Sequence, residues 1–483
     1  MNVPVRRPLF HRRPESNLYR MFFWVVLILA GIWLIREVQR GEVKPLFIPT
    51  ATATRTFNSY TLEGEAQFTA GKLDAAIGAY QQALNLDPGN AQIWVNLSRI
   101  QTYSSALLVT DDARRTRLAE ALQSAEKAVE LAPDDSMAYA IRAFAKDWNA
   151  NPTLIDDREV QRFLTEAEQD AVRSLQLDNT NTLALAFYAE ILVDQQKWSQ
   201  AQQNIEQALN RGEQLMDVYR VNAYVLESLG EYNLAIENYN KAISLAPNLT
   251  FLYLRVGANY RTLGFRSPNE DTQTQLWETS LEYFAKAANI NEQLGVNDPG
   301  PYLSIARTYS QMGEYFAASR NVQKALQFEP ANPDIYGQLG IVYFKSRNYE
   351  GSIPALKCAI EGCDEETSCQ ARFGSSCADA EETGLQITGM ALSPNTVVYY
   401  YTYASVLAAL SRPQQNYCSE AHQVFNQVQA QFGTDKDIAG IIAAGETICA
   451  GVAQGIPPST SNATITPESP MTETPAATGT PVP

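Results

Sequence analysis

The apolar positions of this chain change rhythm twice. Residues 21–35, MFFWVVLILAGIWLI, are apolar without interruption. From about residue 57 apolar side chains recur every three to four positions in short blocks, and beyond Pro457 they thin out. The unbroken run predicts a helix that meets lipid. From Leu18 to Ile35, with Arg20 snorkelling, it spans about 27 Å at 1.5 Å per residue, close to a hydrocarbon core. The three-to-four periodicity predicts amphipathic helices that cover one another. The final stretch, PPSTSNATITPESPMTETPAATGTPVP, has almost nothing to bury and is expected to be disordered.

The periodic region repeats itself. GKLDAAIGAYQQALNLDP (71–88), QKWSQAQQNIEQALNRGE (196–213), GEYNLAIENYNKAISLAP (230–247), GEYFAASRNVQKALQFEP (313–330) and RNYEGSIPALKCAIEGCD (347–364) align, and two adjacent pairs of these blocks start 34 residues apart. Each is preceded by a second apolar helix, such as VYRVNAYVLESL. A 34-residue period with two helices per unit resembles the tetratricopeptide repeat. Tyr219, Ala223, Leu226, Gly230, Tyr232, Ala235, Tyr239, Ala242 and Pro247 carry the resemblance in the fifth unit. Tyr302, Ala306, Tyr309, Gly313, Tyr315, Ala318, Ala325 and Pro330 carry it in the seventh. Small residues let antiparallel helices approach, Gly230 permits the tight turn, and Pro247 stops the helix before the next unit.

Nine such units are expected over about residues 57–433. Units two, three and six carry about 11 extra residues between their helices: LLVTDDARRTR, PTLIDDREVQR and SPNEDTQTQLW. Eleven residues make about three helical turns, so the second helix can lengthen without rotating its packing face. The extensions read either as drift at a tolerant loop or as a rim that helps choose a partner. The resemblance implies an all-α fold, a right-handed solenoid of antiparallel helix pairs, and the apolar run adds one transmembrane helix before it. The expected divisions are a basic cytosolic arm (1–17), a transmembrane signal-anchor helix (18–35) and a linker (36–56). Then come units one to eight (57–360), a cysteine-containing insertion (361–395), a ninth unit with a capping helix (396–453) and a Pro/Thr-rich tail (454–483).

Composition narrows the function. A net charge of −16 argues against nucleic acid, whose phosphates need clustered Lys and Arg. His11 and His422 are the only histidines, which leaves little room for His-based catalysis or metal binding. No phosphate-cradling Gly-rich loop and no GxSxG elbow occurs, so no enzyme, cofactor or metal is expected. The family resemblance instead implies a groove lined by the first helices, open to a partner protein or peptide. Carried onto units five to seven, the family's groove positions select Arg220, Tyr224, Arg255, Arg261 and Arg307. Such a strip can hold acidic segments or a terminal carboxylate by charge-assisted forks. The alternative is that these Arg pair within the fold with acids such as Glu227. The Lys and Asn set of the family's two-carboxylate clamp is not found, so chaperone docking is not supported.

Six cysteines lie in the last 130 residues and none in the first 357. The spacings of Cys358, Cys363, Cys369 and Cys377 include no CxxC and no nearby His, which argues against zinc and dithiol redox chemistry. An even set in an exported domain reads as three disulfides. Cys418 and Cys449 are expected to pair across an antiparallel turn near Gly433 and Thr434. For the other four, Cys358–Cys377 with Cys363–Cys369 is one of three possible connectivities. Asp364, Glu365 and Glu366 can hold calcium but read more simply as a solvated loop. Arg6, Arg7, Arg12 and Arg13 precede the apolar run, while Arg36, Arg40 and Lys44 follow it, interspersed with Glu37 and Glu42. That mild bias places the N-terminus in the cytosol and the repeats outside the cell membrane. A cleaved, secreted form, a glycan-binding accessory role and a cytosol-facing adaptor are the alternatives.

Overall fold

The computed structural model describes residues 17–39, 55–108, 110–212, 214–374, 377 and 384–454. The expected basic arm before residue 17, the linker over 40–54 and the tail from 455 lie outside the described residues. The chain divides into two units, residues 1–55 and 56–483. The first contains α1 (Leu18–Gln39), whose Leu18–Glu37 stretch is long and apolar enough to cross a membrane and meets the same test as a signal sequence.

The second unit is a run of helix pairs. In order they are α2 (Phe57–Thr69) and α3 (Leu73–Leu86), α4 (Ala91–Ser105) and α5 (Asp111–Leu131), α6 (Ser136–Asn149) and α7 (Asp157–Leu177), and α8 (Thr182–Asp194) and α9 (Trp198–Asn210). There follow α10 (Met216–Ser228) and α11 (Tyr232–Leu245), α12 (Thr250–Arg266) and α13 (Glu270–Leu294), α14 (Gly300–Gln311) and α15 (Tyr315–Phe328), and α16 (Pro333–Lys345) and α17 (Tyr349–Ile360). After the short α18 (Glu365–Phe373), α19 (Val397–Leu410) and α20 (Cys418–Phe432) form a ninth pair, and α21 (Lys436–Ala453) covers its end. Among the described residues the fold is all-α apart from a two-residue antiparallel pairing of β1 (Gly362–Cys363) with β2 (Ile387–Thr388) and an isolated bridge between Arg412 and Gln415.

Packing follows the residue pattern. Ala223, Ala235 and Ala242 are fully buried where helices touch, and Tyr239 fills the space between them. The insertions of units two, three and six lengthen the second helices to 21, 21 and 25 residues. Each extension encodes its own start. Thr110, Asp156 and Asn269 accept hydrogen bonds from the N–H groups of Ala113, Glu159 and Thr272, and acidic residues occupy each first turn.

The array also meets itself. The α2–α3 turn abuts Asn248, so a Cβ at Gly71 would stand 2.4 Å from that residue's carbonyl oxygen. The ring of Tyr103 on α4 stacks on Phe251 of α12 at 5.4 Å. Arg114 at the start of α5 lies within the field of Glu329 after α15. One hydrophobic core cluster accordingly gathers residues from Leu73 to Val256, and another runs from Leu254 to Val452. Core changes hands within α12.

Near the C-terminal end the disulfides are Cys358–Cys363, Cys369–Cys377 and Cys418–Cys449. The trial connectivity Cys358–Cys377 with Cys363–Cys369 is therefore corrected. Gly362, at φ 84°, reverses the chain just after α17 and returns Cys363 to within 4.7 Å of Cys358 between Cα atoms. Gly374, at φ 61°, follows α18 in the same way, and Cys377 comes back beside Cys369. Closing these short loops costs less chain entropy than closing a longer one. Asp364, one of the three acids considered for calcium, caps α18 by accepting from the Thr367 N–H at 2.9 Å.

Candidate interaction surface and the filled centre of the array

The groove positions of units two to six are occupied by the array's own side chains. α10 presents Asp217, Arg220 and Tyr224 along one face, one helical turn apart, and all three are buried. Arg220 forms a two-pronged pair with Glu190 of α8 at 2.7 and 2.6 Å, and its Nε donates to the Tyr103 hydroxyl at 3.1 Å. The rings of Tyr103, Phe144 and Trp148 surround its guanidinium at 5.4 to 5.9 Å. Asp217 accepts from both Arg99 and Tyr103 of α4, more than a hundred residues away. Burial opposes ionisation of Asp217, but Arg99 outweighs it and holds the carboxyl below its usual range.

The other selected residues fare differently. Tyr224 donates its hydroxyl to Asp194 at 2.6 Å. Arg255 pairs with Glu227 at 2.5 Å, with Tyr239 beside it. Arg261 is buried over the Phe284 ring and reaches the Ser304 carbonyl at 3.5 Å. Arg307 is exposed on α14, within the field of the Tyr399 hydroxyl, which itself donates to Asp334 at 2.8 Å. Arg220, Tyr224, Arg255 and Arg261 therefore do not form an open cationic strip. The superhelix closes tightly enough that groove positions meet across its centre, and buried charges must then be paired. A small recess lined by Glu190, Arg220, Tyr224, Tyr239, Phe251 and Arg255 remains of the concave space at this level.

Glu227 is a partner that the sequence itself offers these Arg; the other acids, on α6 and α8, were legible only as anomalies. Glu190 and Asp194 stand in TLALAFYAEILVD, an otherwise apolar helix, and Asp147 stands in SMAYAIRAFAKDWN. A carboxylate in such a helix must find a cation, a proton or water.

A family model described as TPR repeat matches residues 64–98, which run from α2 into α4, and one described as Tetratricopeptide repeat matches residues 223–249, across α10 and α11. The chain carries tetratricopeptide repeats at these two stretches. No curated protein matches it. Among solved structures, a thermophilic TPR protein of Thermus thermophilus is 18% identical over 42% of this chain and 98% of its own, with TM-score 0.35. A tetratricopeptide repeat protein from Parabacteroides merdae is 17% identical over 59% and 98%, with TM-score 0.32. The human IFIT1 dimer with m7Gppp-AAAA is 14% identical over 85% and 89%, with TM-score 0.43. Tetratricopeptide arrays are in general non-catalytic scaffolds for protein interaction.

Proposed function

We propose that this tetratricopeptide-repeat protein is a non-catalytic scaffold anchored in the cell membrane by residues 18–35, with its N-terminal arm cytosolic and its array outside. The observation that carries the reading is that all six cysteines are paired, in a chain whose N-terminal helix is long and apolar enough to span a bilayer. Structural disulfides persist in oxidising compartments and not in the cytosol. In this reading units one to eight occupy 57–360, the disulfide-bearing insertion 361–395 and the ninth unit with its cap 396–453. With the groove of units two to six filled from within, the partner sits on the C-terminal units, where Arg307 offers an exposed cation to an acidic segment or terminal carboxylate.

The test is thiol accounting on membranes. Intact cells are treated with an impermeant maleimide, with and without reductant, and the purified chain is weighed. The proposal expects no labelled thiol before reduction, six after it, and an unprocessed N-terminus. Six free thiols reached only after lysis would place the array in the cytosol. A mature N-terminus beyond residue 40 would make it a secreted protein.

A further inference from the structure

The centre of units two to six holds more acid than base. Arg99, Arg220 and Arg255 face Asp217, Glu190 and Glu227 and pair with them one to one. Asp147 of α6 and Asp194 of α8 are left over, at 1% and 6% exposure. Neither carboxyl oxygen of Asp147 receives a hydrogen bond from a donor group among the described residues, and its polar neighbour is the Asp194 carboxyl. Two carboxyl oxygens can share a hydrogen bond only if one carries a proton.

We propose that Asp147 and Asp194 form a proton-dependent lock on the closed half of the array: protonated, they let the centre stay dry and shut, and deprotonated, they admit water and part α4 from α10 and α12. The surroundings dictate that direction. Glu190 on α8 adds a third carboxylate close by, and Asp217 on α10 lies in the same centre. Arg220 is the cation whose field favours ionisation of both groups, and it is committed to Glu190. Arg99 and Tyr103 of α4 are held by Asp217, and Arg255 of α12 by Glu227. Tyr224 of α10 donates one bond to Asp194. On α7, Glu168 is taken by Lys197 and Asp170 by Arg142 and Lys146.

Burial, with the neighbouring acids, pushes Asp147 well above the carboxylate range and Asp194 up to about 7. Both groups ionise near their ordinary value once water reaches them, so the closed form binds protons that the open form releases. Closure is therefore fully supported below the ordinary carboxylate range, weakens progressively as pH rises from there to the closed-state values, and changes no further above them. The seam is the part that gives way. α4 meets α10 and α12 through Arg99, Tyr103, Asp217, Arg220 and Phe251, whereas adjacent pairs share whole helix faces.

The test is hydrogen exchange of the full chain in detergent micelles from pH 5.5 to 8.5, corrected for intrinsic rates, with circular dichroism alongside. Protection of α4 and α10 should fall already between pH 5.5 and neutrality, by up to tenfold per pH unit for each proton released, and level off once pH passes the closed-state values. Helicity and the protection of α16 and α17 should stay constant. Asp147→Asn should abolish that fall, and Asp194→Asn serves the same purpose if the first variant loses helicity. Protection of α4 and α10 that follows α16 at every pH would overturn the lock. So would a full pH response in a folded Asp147→Asn protein.

Discussion

Removing Arg220 tests whether the centre of the array is a sealed, charge-paired core. In Arg220→Leu the guanidinium that meets Glu190 at 2.7 and 2.6 Å is gone, and the buried Glu190 keeps, among the described residues, the Trp148 indole N–H at 3.2 Å as its donor. Breaking a buried pair from one side costs about 3–5 kcal/mol, mostly the expense of the orphaned charge. Replacing Glu190 by Leu as well removes that charge. It leaves a lost pair, an unpartnered indole worth about 1–2 kcal/mol and some repacking. The double variant should therefore regain at least half of the single variant's loss. An array need not unfold in one step, so stability is best read locally, as the exchange free energy of α8 and α10 at pH 6. A cost below about 1 kcal/mol for Arg220→Leu, or a double variant weaker than the single one, would refute the sealed-core reading.

Two further outcomes follow from the geometry. Ala at Gly71 or Gly230 meets the same left-handed backbone strain, about 1–2 kcal/mol, since both have φ near 80°. Only Gly71→Ala also drives a Cβ against the Asn248 carbonyl, so it alone should speed exchange in α4 and α12, and equal effects from both changes would argue against the seam. For the partner, Arg307→Glu should remove the species crosslinked to α14 in native membranes without lowering helicity, and an unchanged crosslink would move the binding surface elsewhere.

Helix pairs, small residues at their contacts and the lengthening of three second helices were legible in the sequence, because each depends on neighbours within about one repeat. Ala235 and Ala242 recur where the backbones touch, and about 11 extra residues add about three turns to a second helix wherever the unit sits. The apolar run over 21–35 and the clustering of cysteines were equally plain. What the sequence left open was the use made of the groove positions. Whether Arg220 greets a partner or Glu190 depends on how far the superhelix curls, and that curl is a sum of small rotations over several units. Asp217 meets Arg99 across 118 residues, a distance at which no periodicity speaks. The same holds for the connectivity of Cys358, Cys363, Cys369 and Cys377, where the turns at Gly362 and Gly374 chose among spacings that the sequence alone treated as equals. The residues determined the repeat and its chemistry by short-range packing. Tertiary closure decided which charges face inward, because only there does burial force each one to find a counterpart or keep its proton.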